Sequence, residues 1–308
     1  MARVLMPRGR FADRLAAPLP GFGDVMRLMW AGAGRPLADD VDRVPVLRTG
    51  LPPVTAGDTA LTWVGHSTYL VRTGGVSVLT DPVWSTRIPG VPRRVTPPGV
   101  AFSDLPPVDA VVISHNHYDH LDAPTIARLP RRTPVLVPLG LGRWFRARGF
   151  TRVVELDWWE SAEVAGLRFD FVPAQHWSRR GLHDTCASLW GGWVITGDRR
   201  LYHAGDSGYG PHFAEIGRRM PGIDAAMVPI GAYAPRWFMR PVHIDPEEAV
   251  RAVGDLGARR AASMHWGTFR LTREPLTEPL TRLRKAWQEA GRDPADLWDL
   301  AIGETRFL

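Results

Sequence analysis

The stretch Val108-Asp109-Ala110-Val111-Val112-Ile113-Ser114-His115-Asn116-His117-Tyr118-Asp119-His120 decides how this chain is read. An apolar run of strand type ends in a cluster of pattern H-x-H-x-D-H. Three His and one Asp within six residues would crowd costly polar groups at a strand end unless something pairs them. The alternative, a solvated polar loop, leaves that concentration of imidazole without a cause. Imidazole and carboxylate together are what a zinc-class ion needs. Three more candidates follow, His176, Asp206 and His265, making seven ligand-type side chains.

Alternate residues of an extended segment face the same way, so His115 and His117 can address one ion. Asp119 and His120 turn away where the loop bends toward its helix and can address a second. His176 would complete the first set and His265 the second. The carboxylate of Asp206 can bridge both, on a loop that Gly205 and Gly208 allow to turn tightly. Taken alone, His176 and His265 read as hydrogen-bonded histidines after strands; the set gives them weight. Two such ions sit roughly 3.5–4 Å apart and bring a shared water's pKa to about neutral. The bridging hydroxide would attack, and no serine or cysteine nucleophile is required. His66 and Asp81, near the ends of other strands, are candidate supports for the ligands. Asp245 reads as a helix N-cap with Pro246 at the first helical position, which leaves the neighbouring His243 free.

Around this site the bulk properties are those of a globular chain. The 308 residues are 44% apolar, enough for a real core in one large or two small domains. Cys186 is the single cysteine, which excludes an intrachain disulfide, suits a reducing compartment, and reads as a packed thiol. The net charge is +6 and Lys285 is the only lysine, so the excess is arginine, a good phosphate binder. Thirteen Trp belong where one end of the ring is apolar and the other wet, including membrane interfaces. No stretch approaches the roughly 20 apolar residues of a membrane span. Arg and Pro interrupt Met1–Arg10 before a secretory apolar region forms. The expectation is a cytoplasmic protein that touches the inner face of a membrane. No basic, aromatic-interleaved patch marks a nucleic-acid partner.

Residues 1–57 read as an N-terminal extension rich in Pro, Gly and Arg, packed on the body or facing a membrane. Its one helix, Phe22 to Trp30, carries Val25, Met26, Leu28 and Met29 as an apolar stripe. Residues 58–308 read as the catalytic domain. The patterns predict strands over Leu61–Val64, Thr68–Val71, Val76–Thr80, Val108–Ser114, Val135–Val137, Arg152–Leu156, Leu167–Val172, Ser188–Ile195, Leu201–Ala204, Ala225–Ile230 and Arg260–Met264. Gly74-Gly75 predicts a hairpin turn. Helices are predicted over Ala123–Arg128, Leu139–Arg148, Pro211–Met220, Asp245–Leu256 and Pro275–Ala290. Strands interleaved with helices argue for a layered α/β body, with each ligand in a loop at a strand end.

The ligand loop, the later His, the Gly-Asp and the last His resemble the metallo-β-lactamase superfamily. Trp63-Val64-Gly65-His66-Ser67-Thr68, Leu79-Thr80-Asp81-Pro82, Gln175-His176-Trp177, Ala204-Gly205-Asp206-Ser207-Gly208-Tyr209 and His265-Trp266-Gly267-Thr268-Phe269 are similar to its N-acylphosphatidylethanolamine-hydrolysing phospholipase D branch. So is Pro229-Ile230-Gly231-Ala232-Tyr233-Ala234-Pro235-Arg236-Trp237-Phe238-Met239, leading into His243-Ile244-Asp245-Pro246-Glu247-Glu248. The resemblance implies an α+β fold, the αβ/βα four-layer sandwich of two mixed sheets flanked by helices. It implies two zinc ions per chain, with iron or manganese decided by geometry and availability. It implies release of an N-acylethanolamine and a phosphatidic acid from a phospholipid, by a homodimer with an apolar, membrane-facing entrance.

On the matching motifs, His115, His117, Asp119, His120, His176, Asp206 and His265 are the implied ligands. Asp119, Asp206 and His243 carry the catalysis, with His243 near the substrate phosphate or leaving group. Tyr118, Trp177, Tyr233, Trp237 and Phe238 join His66 and Asp81 as supporting or substrate-contacting candidates. The chain departs from the animal enzymes at Val242, where they carry Gln, and in its short, Arg-rich N-terminal segment. A lactonase or other ester hydrolase acting on a soluble substrate is the second reading. The aromatic segments Trp158-Trp159 and Arg236-Trp237-Phe238-Met239 suit acyl chains better than a sugar. A nucleic-acid phosphodiesterase is the third reading.

Overall fold

The computed structural model describes residues 9–32 and 40–308. The expectation for Met1–Arg10 therefore lies, up to Arg8, outside the described residues. The first sheet gathers β1 (Thr59–Gly65), β2 (Thr68–Thr73), β3 (Val76–Thr80), β4 (Ala110–Val112), β5 (Val135–Pro138) and β6 (Val153–Leu156). The second gathers β7 (Ser161–Val164), β8 (Leu167–Val172), β9 (Gly192–Thr196), β10 (Arg200–His203), β11 (Ala225–Pro229), β12 (Arg260–Met264) and β13 (Leu297–Trp298). The last strand, β14 (Thr305–Phe307), returns to the first sheet beside β1. The order is β14-β1-β2-β3-β4-β5-β6 in one sheet and β13-β12-β11-β10-β9-β8-β7 in the other. In each sheet one half is antiparallel and the other parallel.

Period-two alternation divides the first sheet between two cores. Leu61, Trp63, Tyr69, Val71, Val78, Val112 and Leu136 pack toward the second sheet, against Phe169, Phe171, Trp193, Val194 and Tyr202. Their neighbours Val64, Leu70, Leu79, Val111, Ile113, Val135 and Val137 pack outward with residues of α2 (Ala123–Arg128) and α3 (Gly142–Arg146). Both faces are covered, so these strands read as continuous apolar runs. Over the second sheet lie α4 (His212–Arg219), α6 (Pro246–Asp255) and α7 (Glu278–Glu289). This is the expected four-layer αβ/βα sandwich.

The sequence reading misses β7, β13, β14 and the short α5 (Arg236–Met239). Two predicted strands, Val108–Ser114 and Ser188–Ile195, also lose more than one residue from a predicted end. Ser114 leaves the ladder because its N–H donates to the Asp81 carboxylate. Leu189 and Gly191 bond to the loop carbonyls of Leu139 and Ser114. Asp245 caps α6 as predicted, in a reciprocal capping box with Glu248, and both glycines of the Gly74-Gly75 turn have positive φ.

The N-terminal segment touches the body at Phe11, which is buried and whose N–H donates to the carbonyl of the buried Cys186. It touches again at Val44 and through the Val46–Ile302 bridge. Helix α1 (Phe22–Gly32) instead exposes Phe22, Val25, Met26, Met29 and Trp30. That spacing is one helical face. It differs from the expected stripe: Leu28 is half-buried, while Phe22 (82%) and Trp30 (88%) lie open. Among the described residues no helix is long and apolar enough to cross a membrane.

Candidate metal centre

The parallel strands deliver the ligands. His115, His117, Asp119 and His120 follow β4, Asp206 follows β10, and His265 follows β12. His176 lies beyond β8, and His66 occupies the β1–β2 turn. His66 (φ 53°), Asp81 (φ 37°) and His265 (φ 64°) all adopt the left-handed region that non-glycine residues seldom enter. Hydrogen bonds hold two of these turns together: the His66 N–H donates to Thr268 Oγ1 at 2.8 Å, and His265 N–H to the His66 carbonyl at 3.1 Å. Two glycines permit the approach of the Asp206 loop. A Cβ on Gly205 would lie 2.5 Å from the Ser114 Cβ, and one on Gly208 2.6 Å from the Pro241 carbonyl oxygen.

Asp81 organises the floor. Fully buried, it accepts from Ser114 N (2.7 Å), Ser114 Oγ (2.6 Å), His120 Nδ1 (2.8 Å) and His203 Nε2 (3.1 Å). Burial alone would raise its pKa, but the bonds from His120 and His203 outweigh burial and bring it to about 2. His120 therefore holds its proton on Nδ1 and turns Nε2 to the site. The Ser114 hydroxyl, having donated to Asp81, accepts from His115 Nδ1 at 2.9 Å, which frees His115 Nε2. His176 Nδ1 donates to the Val242 carbonyl at 2.9 Å and likewise frees Nε2.

Three nitrogens then converge. His117 Nδ1 lies 2.9 Å from His115 Nε2 and 3.2 Å from His176 Nε2. Two of the three carry lone pairs by the bonds just described, so at most one proton serves all three. Ligands about 2.0–2.1 Å from one tetrahedral ion stand about 3.3 Å apart. The trio fits a cation better than it fits itself.

A second group joins His66, Asp119, His120 and His265. Asp119 Oδ2 accepts from His66 Nε2 at 3.0 Å and lies 3.6 Å from His120 Nε2 and 3.5 Å from His265 Nε2. Asp206 stands between the groups. Its Oδ2 is 3.1 Å from His120 Nε2 and 3.9 Å from both His115 and His176 Nε2. Its Oδ1 is 3.1 Å from His265 Nε2. His243 Nδ1 is 4.0 Å from Asp206 Oδ2, near enough that His176, Asp206 and His243 form a further ligand-type group.

Several of these buried polar atoms make close contacts but no well-directed hydrogen bond: His120 Nε2, His265 Nε2, Asp206 Oδ1 and His243 Nδ1. Buried polar groups seldom stay unsatisfied, so the orphans mark where a ligand belongs. Burial pushes His117 down to about 3, and His66 and His176 to about 4. Burial opposes the proton on His265 too, yet the carboxylates of Asp206 and Asp119 raise it to about 9. The same carboxylates hold His120 well above its ordinary value against burial. Protons on these two imidazoles do for the carboxylates what bound cations would do. The His/Asp cluster can bind metal ions.

Residues 77–266 match the family described as the Beta-lactamase superfamily domain. The chain belongs to that superfamily. A protein of Mycobacterium tuberculosis described as uncharacterised is 44% identical over 267 residues, covering 82% of this chain and 70% of that protein. The N-acyl-phosphatidylethanolamine-hydrolyzing phospholipase D 1 of Caenorhabditis elegans is 42% identical over 243 residues, covering 73% and 68%. Among solved structures, a metallo hydrolase of the archaeon Ignicoccus hospitalis superposes with TM-score 0.62 at 26% identity, covering 82% of this chain and 98% of that one.

In this superfamily member all seven residues expected as ligands gather in the cluster, with His66 and His243 at its edges. Asp81 lies beneath it. Trp177 meets the His117 ring edge-on at 4.7 Å. Tyr118 turns outward, its hydroxyl donating to the Arg180 carbonyl. Tyr233 is buried and donates to Glu278 of α7. Trp237 and Phe238 pack edge to face on α5, with Trp237 partly exposed. The sequence reading misses Ser114 and His203, which complete the ring of donors around Asp81. It also misses Glu274, whose carboxylate accepts from the N–H groups of Ala232, Tyr233 and Ala234. A usable signal existed for Ser114 and His203: a buried carboxylate such as Asp81 requires several donors, and both are polar residues at the ends of buried strands.

Proposed function

We propose that this metal-dependent hydrolase is a zinc phosphodiesterase of phospholipase D type, converting N-acylphosphatidylethanolamine into N-acylethanolamine and phosphatidic acid, and that it works as a homodimer. The observation that carries the reading is the convergence of six ligand-type side chains around a seventh, Asp206, with buried nitrogens facing it. Identity to the nematode protein supports the choice of lipid. His115, His117 and His176 would hold one ion, Asp119, His120 and His265 the other, and Asp206 both. A bound pair supplies Lewis acidity at the phosphate and a water ionised near neutral pH.

The chain's own residues do the rest. Asp81 and Ser114 fix the tautomers of His120 and His115, and the Val242 carbonyl fixes that of His176. His66 orients Asp119. The reaction breaks the bond between phosphorus and the ethanolamine oxygen, places water's oxygen on phosphorus, and returns a proton to the departing oxygen. Burial holds His243 well below its ordinary pKa, so it offers a neutral imidazole to the phosphate or the departing oxygen. The test is turnover by metal-quantified protein of defined N-acylphosphatidylethanolamine, beside a lactone and a generic phosphodiester. Release of N-acylethanolamine and phosphatidic acid at the highest kcat/KM is expected. Preference for the lactone would move the soluble-ester reading ahead.

The same reading includes a lipid surface. The open face of α1 sits beside the segment leading to His243, because the Arg27 guanidinium stacks 4.6 Å over the Trp237 ring. An amphipathic surface binds more strongly with apolar area and anionic lipid. Liposome flotation should therefore increase with anionic lipid and fall when Met26 and Met29 are replaced by Asp. A wild type that never floats, and that handles a short-chain soluble substrate as well as a bilayer one, would rule the surface out.

A further inference from the structure

Arg180 lies four residues beyond His176 and takes no part in the ligand set. Its guanidinium Nη1 donates to the carbonyls of Asn116 at 3.1 Å and Leu121 at 2.6 Å. Asn116 stands between His115 and His117, and Leu121 follows His120. One nitrogen thus ties together the two ends of the ligand loop. The guanidinium also lies 4.2 Å over the Tyr118 ring, while the Tyr118 hydroxyl donates back to the Arg180 carbonyl at 2.6 Å. Asp184 fixes the near end, accepting from Arg180 N at 3.0 Å and Gly181 N at 2.6 Å.

We infer that Arg180 is a positioning residue for the metal centre, latching the ligand loop of His115–His120 to the loop that carries His176. The inference rests on the metal-centre reading above. Two nitrogens of the converging trio come from the first loop, and the third comes from a residue 59 positions away. Tetrahedral ligation tolerates little error in their separation. A half-buried guanidinium, carried by one loop and donating two hydrogen bonds to backbone carbonyls of the other, sets that separation before any ion arrives. A lysine ammonium lacks the planar face that stacks over Tyr118 and can keep at most part of this contact set.

The test is zinc affinity, by competition with a chromophoric chelator, on purified full-length protein stripped of metal. Loss of an outer partner costs about 10–100-fold in metal affinity, and Arg180→Ala should weaken zinc binding by that factor. Arg180→Lys should fall between it and wild type. Arg179→Ala, in the same loop but with its Nε engaged, among the described residues, only by the Gly181 carbonyl, should bind as wild type does. Where Arg180→Ala does not fold, Tyr118→Phe replaces it, with an expected loss of about three- to tenfold, the worth of one hydrogen bond. Zinc affinity within twofold of wild type in Arg180→Ala, or in Tyr118→Phe where it stands in, overturns the latch, as does an equal loss in Arg179→Ala. A wild type that takes up no transition metal defeats the metal reading instead.

Discussion

Asp206→Ala should empty both halves of the centre at once. Gently purified wild type is expected to carry about two metal equivalents per chain, as a two-metal site requires, and the variant close to none. The reason is geometric. Oδ2 faces His120, His115 and His176, while Oδ1 faces His265. Among the described residues no other carboxylate reaches both groups, since the contacts of Asp119 go to His66, His120 and His265. Without Asp206, the trio of neutral imidazoles keeps three nitrogens but loses its anion, and the second group loses one of two carboxylates. Turnover should fall by more than the about 100-fold that an outer-shell loss can cost. His265→Ala is the contrast: it removes a nitrogen from the second group only, so about one equivalent should remain. Elemental analysis of the three proteins decides the matter. Full metal content in Asp206→Ala would remove the bridging role.

The site was legible in the sequence to the extent that it was local. His115 to His120 lie within one turn of a loop, and the identity of their side chains carries the chemistry without knowledge of the fold. The strands feeding that loop are buried on both faces, so their apolar runs were also readable. What escaped depends on partners far away. β14 is three residues long, contains Arg306, and exists because it pairs with β1 at the other end of the chain. β7 (Ser161–Val164) carries Glu163 and has an exposed edge, so no periodic pattern marks it. α5 is a four-residue turn, held where Arg236 reaches Asp245, Glu248 and the His243 carbonyl.

The supports of the centre were only partly legible for the same reason: a buried carboxylate signals that donors exist without saying which residues they are. Ser114 could be read as the last residue of a strand, and His203 as one more buried histidine. Their function appears only when β3, β4 and β10 bring them to one carboxylate, Asp81. The left-handed conformations of His66, Asp81 and His265 are only faintly signalled by the residue types, since His and Asp enter positive φ more often than other non-glycine residues but do so at few of their positions. The local chemistry of ligands is therefore easier to read than the distant contacts that orient them.

His243 tests that distinction most sharply, because the structure gives it two possible parts. Its Nδ1 is orphaned and 4.0 Å from Asp206 Oδ2, and its ring packs against those of His176 and His265 at centroid distances of 5.2 and 5.5 Å. A ligand placed there would be lost with its metal. A group that contacts substrate would be lost without it. The backbone favours the second part: His243 sits between α5 and the capped start of α6, and Arg236 and Met239 hold its peptide, so the ring is carried by the substrate-side segment and not by a strand end. His243→Ala should therefore keep the wild-type metal content while kcat falls by roughly 10²–10³-fold, the usual worth of one donor aimed at charge that develops in the transition state. A fall in kcat and kcat/KM together would mean that the contact forms in the transition state, whereas a rise in KM alone would mean ground-state binding. If the variant instead arrives stripped of metal, His243 is a ligand; if its turnover is unchanged, it is neither.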